Sequence, residues 1–195
     1  MSRSNPYHHG DLGKALLDEA FEVLRRDGAD AVSLRAVAGR VGVSPSAAYH
    51  HFPDKDALLV AIGDRANELF DRQMVDAAAA VRGDSDDAAV KRFVALGRAY
   101  IDFALEEPHL FRHMFSELCS DHSPITTGGS AAFTTLLGAL DTLVQRKLLR
   151  PGVRQGLELV AWSCVHGFAV LASDGLIPVE LRDELLASLR RSVVR

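Results

Sequence analysis

The sequence predicts an all-α protein, with an N-terminal three-helix domain of the helix-turn-helix type and a larger C-terminal helical domain. Apolar residues recur at spacings of three and four along most of the 195 residues, and capping residues, glycines or prolines stand at the ends of these stretches. No alternation of apolar and polar residues competes with this pattern. We expect the first domain to span residues 1–55 and the second 56–195, with a long linking helix over 54–81.

The first helix is predicted from Asp11, which can cap it, to about Asp27, and Gly28 ends it. Its apolar residues form a single stripe, as expected for a helix that covers a small core: Leu12, Ala15, Leu16, Ala20, Val23 and Leu24. This helix should pack across the two helices that follow it and so complete a three-helix domain.

Residues 33–55 predict two short helices joined by a tight turn. Ser33 can cap the first helix, and Gly42 follows it where a chain often adopts a left-handed conformation. Ser44 and Pro45 then suit the cap and the first position of the second helix. Small residues are expected where the two helices meet: Ala38, Gly42 and Ala48. This is the pattern of a helix-turn-helix, in which the second helix protrudes.

The remainder of the chain predicts further helices. Asp54 can cap the long linking helix. Apolar periodicity and glycine or proline boundaries then predict helices at about 87–106, 131–149, 151–173 and 178–194. The segment 108–118 is dense in aromatic residues, which is typical of a core and also suits the wall of an apolar cavity. A loop is expected over 120–130.

Composition narrows the cellular setting. Hydrophobic residues make up 48% of the chain, enough for a core without disulfide bonds, and the two cysteines lie far apart in helical contexts. There is no apolar signal segment at the N-terminus and no run of about 18 to 20 apolar residues that could cross a bilayer. We expect a cytoplasmic protein with no membrane partner and no cofactor.

Charge supports nucleic-acid binding only locally. The whole chain carries a net charge of −4, and residues 1–55 hold seven basic and seven acidic residues. Residues 33–55, however, hold three basic residues, one acidic residue and two histidines. We therefore expect modest, salt-sensitive affinity for each subunit, with dimerisation supplying the rest.

The sequence contains no motif of an enzyme. A P-loop, a GxSxG elbow and an HExxH zinc helix are all absent, so we expect no catalytic activity. A metal site is the sharper alternative, because His109 and His113 are four residues apart and would share a helical face. Cys119 and His122 lie nearby in sequence, so a metal-responsive protein stays open at this point.

Two stretches carry a family resemblance. From about His9 to Leu59, the SLR start, the AxxxGVS turn, the AYHHF helix and the DKxALL segment resemble the N-terminal DNA-binding domain of TetR-family transcriptional regulators. Further along, the residues from Trp162 to Gly167 resemble the WxxxHG signature of one class of TetR-family C-terminal domains. The resemblance implies DNA binding, small-molecule binding and dimerisation.

The resemblance and the chemistry of the side chains indicate the same DNA contacts. Residues suited to base edges in the major groove are Arg35, which can bind guanine through two hydrogen bonds, Pro45, Ser46, Ala47 and His50. Residues better suited to phosphates are Ser33, Ser44, Tyr49, His51 and Lys55. His51 could instead pack against the domain or cap a helix, and Ala47 could contribute only methyl packing.

For the C-terminal domain, the resemblance implies a ligand site near Trp162 and His166. Both residues could instead be core residues, with the histidine hydrogen-bonded and Gly167 allowing a neighbouring helix to approach. The companion candidates for ligand contact are Phe103, Phe111, Met114, Phe115 and Phe133. The helix over 151–173 is apolar nearly all round, so we expect it and the last helix to form a four-helix homodimer interface.

These observations together predict a ligand-responsive transcriptional regulator that acts as a repressor. It would bind a pseudopalindromic DNA operator as a homodimer and be released by a small, mostly apolar effector. The alternatives are a metal-responsive regulator that uses His109 and His113 or, from another class, a helical small-molecule carrier or enzyme with a structural hairpin.

Overall fold

The computed structural model describes residues 9–120 and 130–195, which fold into α-helices with no strand among them. The all-α class is therefore confirmed. The helices are α1 His9–Asp27, α2 Leu34–Val41, α3 Pro45–Tyr49, α4 Lys55–Ala80, α5 Asp86–Glu106, α6 Pro108–Met114, α7 Glu117–Ser120, α8 Ala131–Gln145, α9 Leu157–Ser173 and α10 Arg182–Val193. The predicted loop over 120–130 lies almost wholly outside the described residues.

The helix ends in the motif follow the predicted local chemistry. The Ser33 hydroxyl accepts the Ala36 N–H at 3.5 Å, and the Ser44 hydroxyl accepts the Ala47 N–H at 3.2 Å. Gly42 is left-handed, with φ 81°. A Cβ at Gly42 would meet no atom within 4 Å, so the expectation that Gly42 allows close helix contact is wrong. The turn requires glycine for its backbone conformation alone.

Several predicted boundaries are displaced. The first helix begins at His9, so Asp11 lies inside the helix and not at its cap. In the C-terminal half the predicted helices are too long. α8 ends at Gln145, shortly before Lys147 adopts a positive φ of 57°, and α9 begins only after the left-handed Gly156. Apolar residues continue through these turns, which is why periodicity alone extended the helices across them.

The chain divides into two compact units. The first comprises residues 9–66 and 109–120, and the second comprises residues 67–108 and 130–195. α4 contributes residues to both units. This grouping differs from the expected division at residue 55, because the start of α4 and all of α6 and α7 except Pro108 belong with the helix-turn-helix.

The first unit has its own core, built on the predicted stripe of α1 and the start of α4. Leu16, Leu24, Leu58 and Ile62 are all fully buried. α6 joins this core through a histidine, because Nε2–H of His113 donates to the Leu59 carbonyl at 2.8 Å.

The second unit is organised around α5, which packs against α8, α9 and α10. A Cβ at Gly97 on α5 would lie 2.8 Å from Cδ2 of Leu186, so α5 and α10 pack closely at this glycine. A Cβ at Gly167 would meet nothing within 4 Å, so the expected close approach of a neighbouring helix at Gly167 is absent within the described chain. The end of the chain is tied back by the N–H of Arg150, which donates to the Val193 carbonyl at 2.9 Å.

Candidate nucleic-acid interface and apolar cavity

The second helix of the motif, α3, has one buried side and one exposed side. Ala48, on the buried side of α3, is fully buried. Pro45, Ser46, Tyr49 and His50 are exposed on the other side. A short helix that is fixed to its domain by one small residue leaves the remaining side chains available to a groove of DNA.

The ten residues predicted to contact DNA all lie in this motif, and each is at least partly exposed. Ser33, Arg35 and Ser44 are exposed, whereas Ala47, His51 and Lys55 are half-buried. His51 also packs on α1, because its Nδ1 would lie 3.1 Å from a Cβ at Gly13.

Two acidic side chains of α1, those of Asp18 and Glu19, are paired with basic side chains. The side chains of Arg40 and Glu19 form an ion pair at 3.0 Å. Asp18 is hydrogen-bonded by Lys14 at 2.8 Å and by Arg65, and these bonds hold the pKa of Asp18 below its usual value, with Lys14 the larger cause. Arg35 is exposed and forms no ion pair within the described ranges. Part of the positive charge of the motif is thus carried by an exposed arginine that forms no ion pair among the described residues.

A separate feature lies in the second unit, where α4, α5, α8, α9 and α10 surround an apolar cavity. The empty space within its walls, including the open mouth, is about 620 Å³. The larger buried side chains of its wall are Phe70, Met74, Phe93, Leu96, Tyr100, Val165 and Leu186. The half-buried side chains of its wall are Val94, Phe133, Leu136, Trp162 and Leu189.

Three polar aromatic side chains form a hydrogen-bonded chain at this cavity. Nε1 of Trp162 donates to the Tyr100 hydroxyl at 3.0 Å, and that hydroxyl lies 2.8 Å from Nδ1 of His166, to which it can donate when the ring is neutral. Burial raises the pKa of the Tyr100 phenol. Burial lowers the pKa of the His166 imidazole. Both shifts favour the uncharged forms that this chain of bonds requires.

The structure brings together only part of the predicted ligand set. Phe133 and Trp162 line the cavity. His166 is not a lining residue but is hydrogen-bonded to the lining residue Tyr100. Phe103 is fully buried and packs edge-on against the lining residue Phe70, with ring centroids 5.2 Å apart. The remaining three residues belong to the first unit and do not line the cavity: Phe111, Met114 and Phe115.

Sequence reasoning named only Phe103 from α5 and missed the α5 residues that line the cavity. Phe93, Gly97 and Tyr100 lie four and three residues apart, so one face of α5 supplies two aromatic rings and a close helix contact. The signal was present in the sequence as a glycine between aromatic residues at helical spacing. The density of aromatic residues over 108–118 was the stronger pattern, but those residues fill a core.

A carboxylate from α4 fixes the start of α8 at the cavity. Asp71 accepts the Ser130 hydroxyl at 2.8 Å and the backbone N–H groups of Ala131 and Ala132, both at 2.9 Å. Ser130 in turn caps α8 by accepting the Phe133 N–H at 3.3 Å. Unpaired N–H groups at a helix start are thereby satisfied from a neighbouring helix.

The histidines considered as metal ligands lie in different surroundings. The His109 ring lies against Gly28, with Nδ1 3.3 Å from the position of a Cβ there. His113 is engaged by the Leu59 carbonyl, and Cys119 Sγ lies 3.7 Å from its Nε2. Across residues 9–120 and 130–195, no group of three or more potential ligand side chains is close enough to hold a metal ion. His122 is outside the described residues.

Comparison with known proteins identifies the family. A family model described as "Tetracyclin repressor-like, C-terminal domain" matches residues 93–194, more than half of the chain, and one described as "Bacterial regulatory proteins, tetR family" matches residues 16–62. The chain belongs to the TetR family of transcriptional regulators. It is therefore a DNA-binding protein of a family that is generally non-enzymatic. No described helix is long and apolar enough to span a membrane.

Individual relatives agree with this membership. The chain is 28% identical over 181 residues to the uncharacterised HTH-type transcriptional regulator YobS of Bacillus subtilis, covering 92% of this chain and 87% of YobS. A structure of a protein of unknown function from Rhodococcus sp. RHA1 matches with a TM-score of 0.80 and 29% identity over 98% of this chain and all of that one. RolR, solved with resorcinol, matches with a TM-score of 0.61 at 18% identity over 95% of this chain and 88% of RolR, and shares the fold.

Proposed function

We propose that this TetR-family protein is a repressor that binds a pseudopalindromic operator as a homodimer and is released by a small, mostly apolar effector. Two observations carry the proposal: an open apolar cavity, and a helix-turn-helix with an exposed surface suited to DNA. This surface, here called the reading face, comprises Arg35 on α2 and the exposed residues Pro45, Ser46, Tyr49 and His50 of the second helix. The two features lie in separate compact units, as expected for a sensor and a reader.

The reading face supports a division of labour among the DNA contacts. Arg35 and the exposed start of α3 would read base edges, and Tyr49 and Lys55 would bind phosphates. His51 packs on α1 and would act chiefly by holding α3 in place. Ser33 and Ser44 already cap helices through their oxygen atoms, but each hydroxyl can still donate its proton to a phosphate.

The exposed face of α9 supports homodimerisation. Four apolar side chains on α9 are exposed by 38% to 58%: Leu159, Val160, Val170 and Leu171. Gly167 lies in the same stretch with open space above it. The share of α10 would be smaller than its apolar stripe indicates, because Leu186 and Val193 are buried within their own unit.

α4 supports a route from effector to operator. Its first residues, including Leu58 and Ile62, belong to the core of the DNA-binding unit, and Phe70 and Met74 further along line the cavity. Effector binding would therefore shift the population toward dimers in which the two reading helices no longer match successive major grooves. Only an effector with different affinities for the two states can do so.

The test is selection of bound fragments from genomic DNA, followed by gel-shift titration of the recovered fragments over a range of salt concentrations. We expect a preference for sequences with two half-sites and a steep loss of affinity with salt. Recovery of no preferred sequence, or an affinity that does not respond to salt, would reject the proposal.

A further inference from the structure

The cavity wall carries no charge. Of the side chains that line the cavity within the described part of the second unit, none is acidic, basic or a histidine. The more exposed part of the wall includes apolar side chains as well, with Val94, Leu136 and Leu189 half-buried. A charged ligand group would leave water without meeting an opposite charge, which is among the most costly changes in protein recognition.

The polar groups in the wall are already bonded to the protein. The Ser130 hydroxyl donates to Asp71, and the Trp162 indole donates to the Tyr100 hydroxyl, which also contacts His166. Asp71 is itself engaged by the start of α8. The Asp71 carboxylate, which is bonded to the lining residue Ser130, is thus committed to a helix terminus and is poorly placed to balance a cationic ligand.

Aromatic rings are a prominent part of the wall that a ligand could contact. Five of the lining side chains are aromatic: Phe70, Phe93, Tyr100, Phe133 and Trp162. Phe70 and Tyr100 meet edge to face, with centroids 5.2 Å apart and planes at 89°. Rings held in this way offer both edges and faces, and these favour the complementary edges and faces of another aromatic ring.

We propose that the effector class is the uncharged aromatic molecules, and that carboxylates and ammonium ions of the same shape are excluded. This inference rests on the proposed function, since it assigns a chemical class to the effector cavity. Recognition is by ring contacts and desolvation, with no ion pair.

The test uses three probes that share one ring and differ in charge. They are para-tert-butylbenzyl alcohol, para-tert-butylbenzoate and para-tert-butylbenzylammonium, measured at pH 7 with the full chain. Trp162 is the single tryptophan of the sequence and lies in the cavity wall, so its emission, excited at 295 nm where the probes barely absorb, reports directly on occupancy. We expect the alcohol to change this emission saturably, and each ion to require at least about tenfold higher concentration.

The outcomes separate this inference from the proposed function. Binding of either ion as tightly as the alcohol would overturn the inference and leave the cavity as an effector site. Failure of all three probes, and of larger two- and three-ring aromatic alcohols, would overturn the cavity's effector role and the inference with it. Since these measurements use the unmodified protein, no folding defect can confuse them.

A matched pair of variants then tests whether the probe binds in this cavity. Ala132→Leu fills space at a lining residue that is 5% exposed, and Ala131→Leu makes the same change at its exposed neighbour. We expect the first variant to weaken binding of the alcohol at least about tenfold and the second to leave it unchanged. Equal affinity in both variants, with unfolding curves that match the parent, would contradict the assigned site.

Discussion

Arg35 and Lys55 exemplify two kinds of DNA contact that single substitutions can separate. We expect Lys55→Ala to weaken binding to all sequences by a similar factor, because a phosphate contact carries no sequence information. Arg35→Ala should weaken binding to the selected operator by about 1–3 kcal/mol and relax the preference at one base position. Gel-shift competition between operator and random DNA measures both effects.

Arg40→Ala is the matched control for Arg35→Ala, since Arg40 lies on the same helix but is paired with Glu19. Its operator preference should stay close to that of the parent. If Lys55→Ala and Arg35→Ala bind with the same affinity and preference as Arg40→Ala and the parent, the DNA contacts lie on another surface of the protein.

His166 makes a prediction about pH. Its pKa is lowered by burial, so between that value and about 6.5 the unfolded state binds more protons than the folded state. The contribution of His166 to the free energy of unfolding should therefore rise with pH in this window and fall as the pH drops below about 6.5. One proton limits the slope to about 1.4 kcal/mol per pH unit.

Chemical denaturation at pH 7.5 and pH 5.5 checks the sign and the residue. The parent protein should lose more stability on acidification than His166→Gln, in which the titrating ring next to Tyr100 is gone. Equal losses of stability in the two proteins would mean that the His166 imidazole takes up no additional proton on unfolding over this pH range.

At the scale of elements, the start of α8 depends on a side chain from α4. Removing the carboxylate in Asp71→Ala leaves two backbone N–H groups and the Ser130 hydroxyl without their acceptor. We expect a loss of about 2 kcal/mol in the free energy of unfolding, from the lost cap and the unsatisfied donors. We also expect weaker probe binding, because Ser130 and Ala132 line the cavity.

Asp76→Ala is the control for this substitution, because Asp76 is exposed on the same helix. Denaturant titration should show a lower midpoint for Asp71→Ala only, with little change in the slope m. A midpoint equal to that of the control would show that the contacts at the start of α8 contribute nothing measurable.

Elements with strong local signals were predictable from the sequence. Ser33, Gly42 and Ser44 each determine a backbone hydrogen bond or a dihedral angle within a few residues, so the motif could be placed closely. The α4-to-α8 contact could not, because the Asp71 carboxylate and the Ala132 N–H are about sixty residues apart. No local pattern distinguishes that aspartate from the exposed one at Asp76.

The cavity likewise combines features that the sequence indicates with features that depend on tertiary packing. The sequence indicated Trp162 and Phe133 as candidate ligand contacts, and the structure places both in the wall of the apolar cavity. It also indicated Phe111, which is buried in the other unit. Composition can show that aromatic residues will be buried, but which core receives them is decided by tertiary packing.

For the whole molecule, we expect homodimerisation through the exposed apolar face of α9 to be required for operator binding. We expect Val160→Arg to produce monomers, because it places a charge within a face that must be desolvated in the dimer, at its most exposed apolar residue on α9. Since two linked reading heads gain affinity from each other, the monomer should bind the operator at least about 100-fold more weakly. Sedimentation velocity and gel-shift titration measure the two effects.

Val75→Arg is the matched control, since Val75 is an exposed valine on α4, outside the α9 face. It should remain dimeric and bind the operator as the parent does. A Val160→Arg protein that stays dimeric at micromolar concentration would exclude α9 as the interface. If it were monomeric yet bound the operator with parental affinity, the reading face of a single subunit would suffice, and the modest local charge of residues 33–55 would have been underestimated.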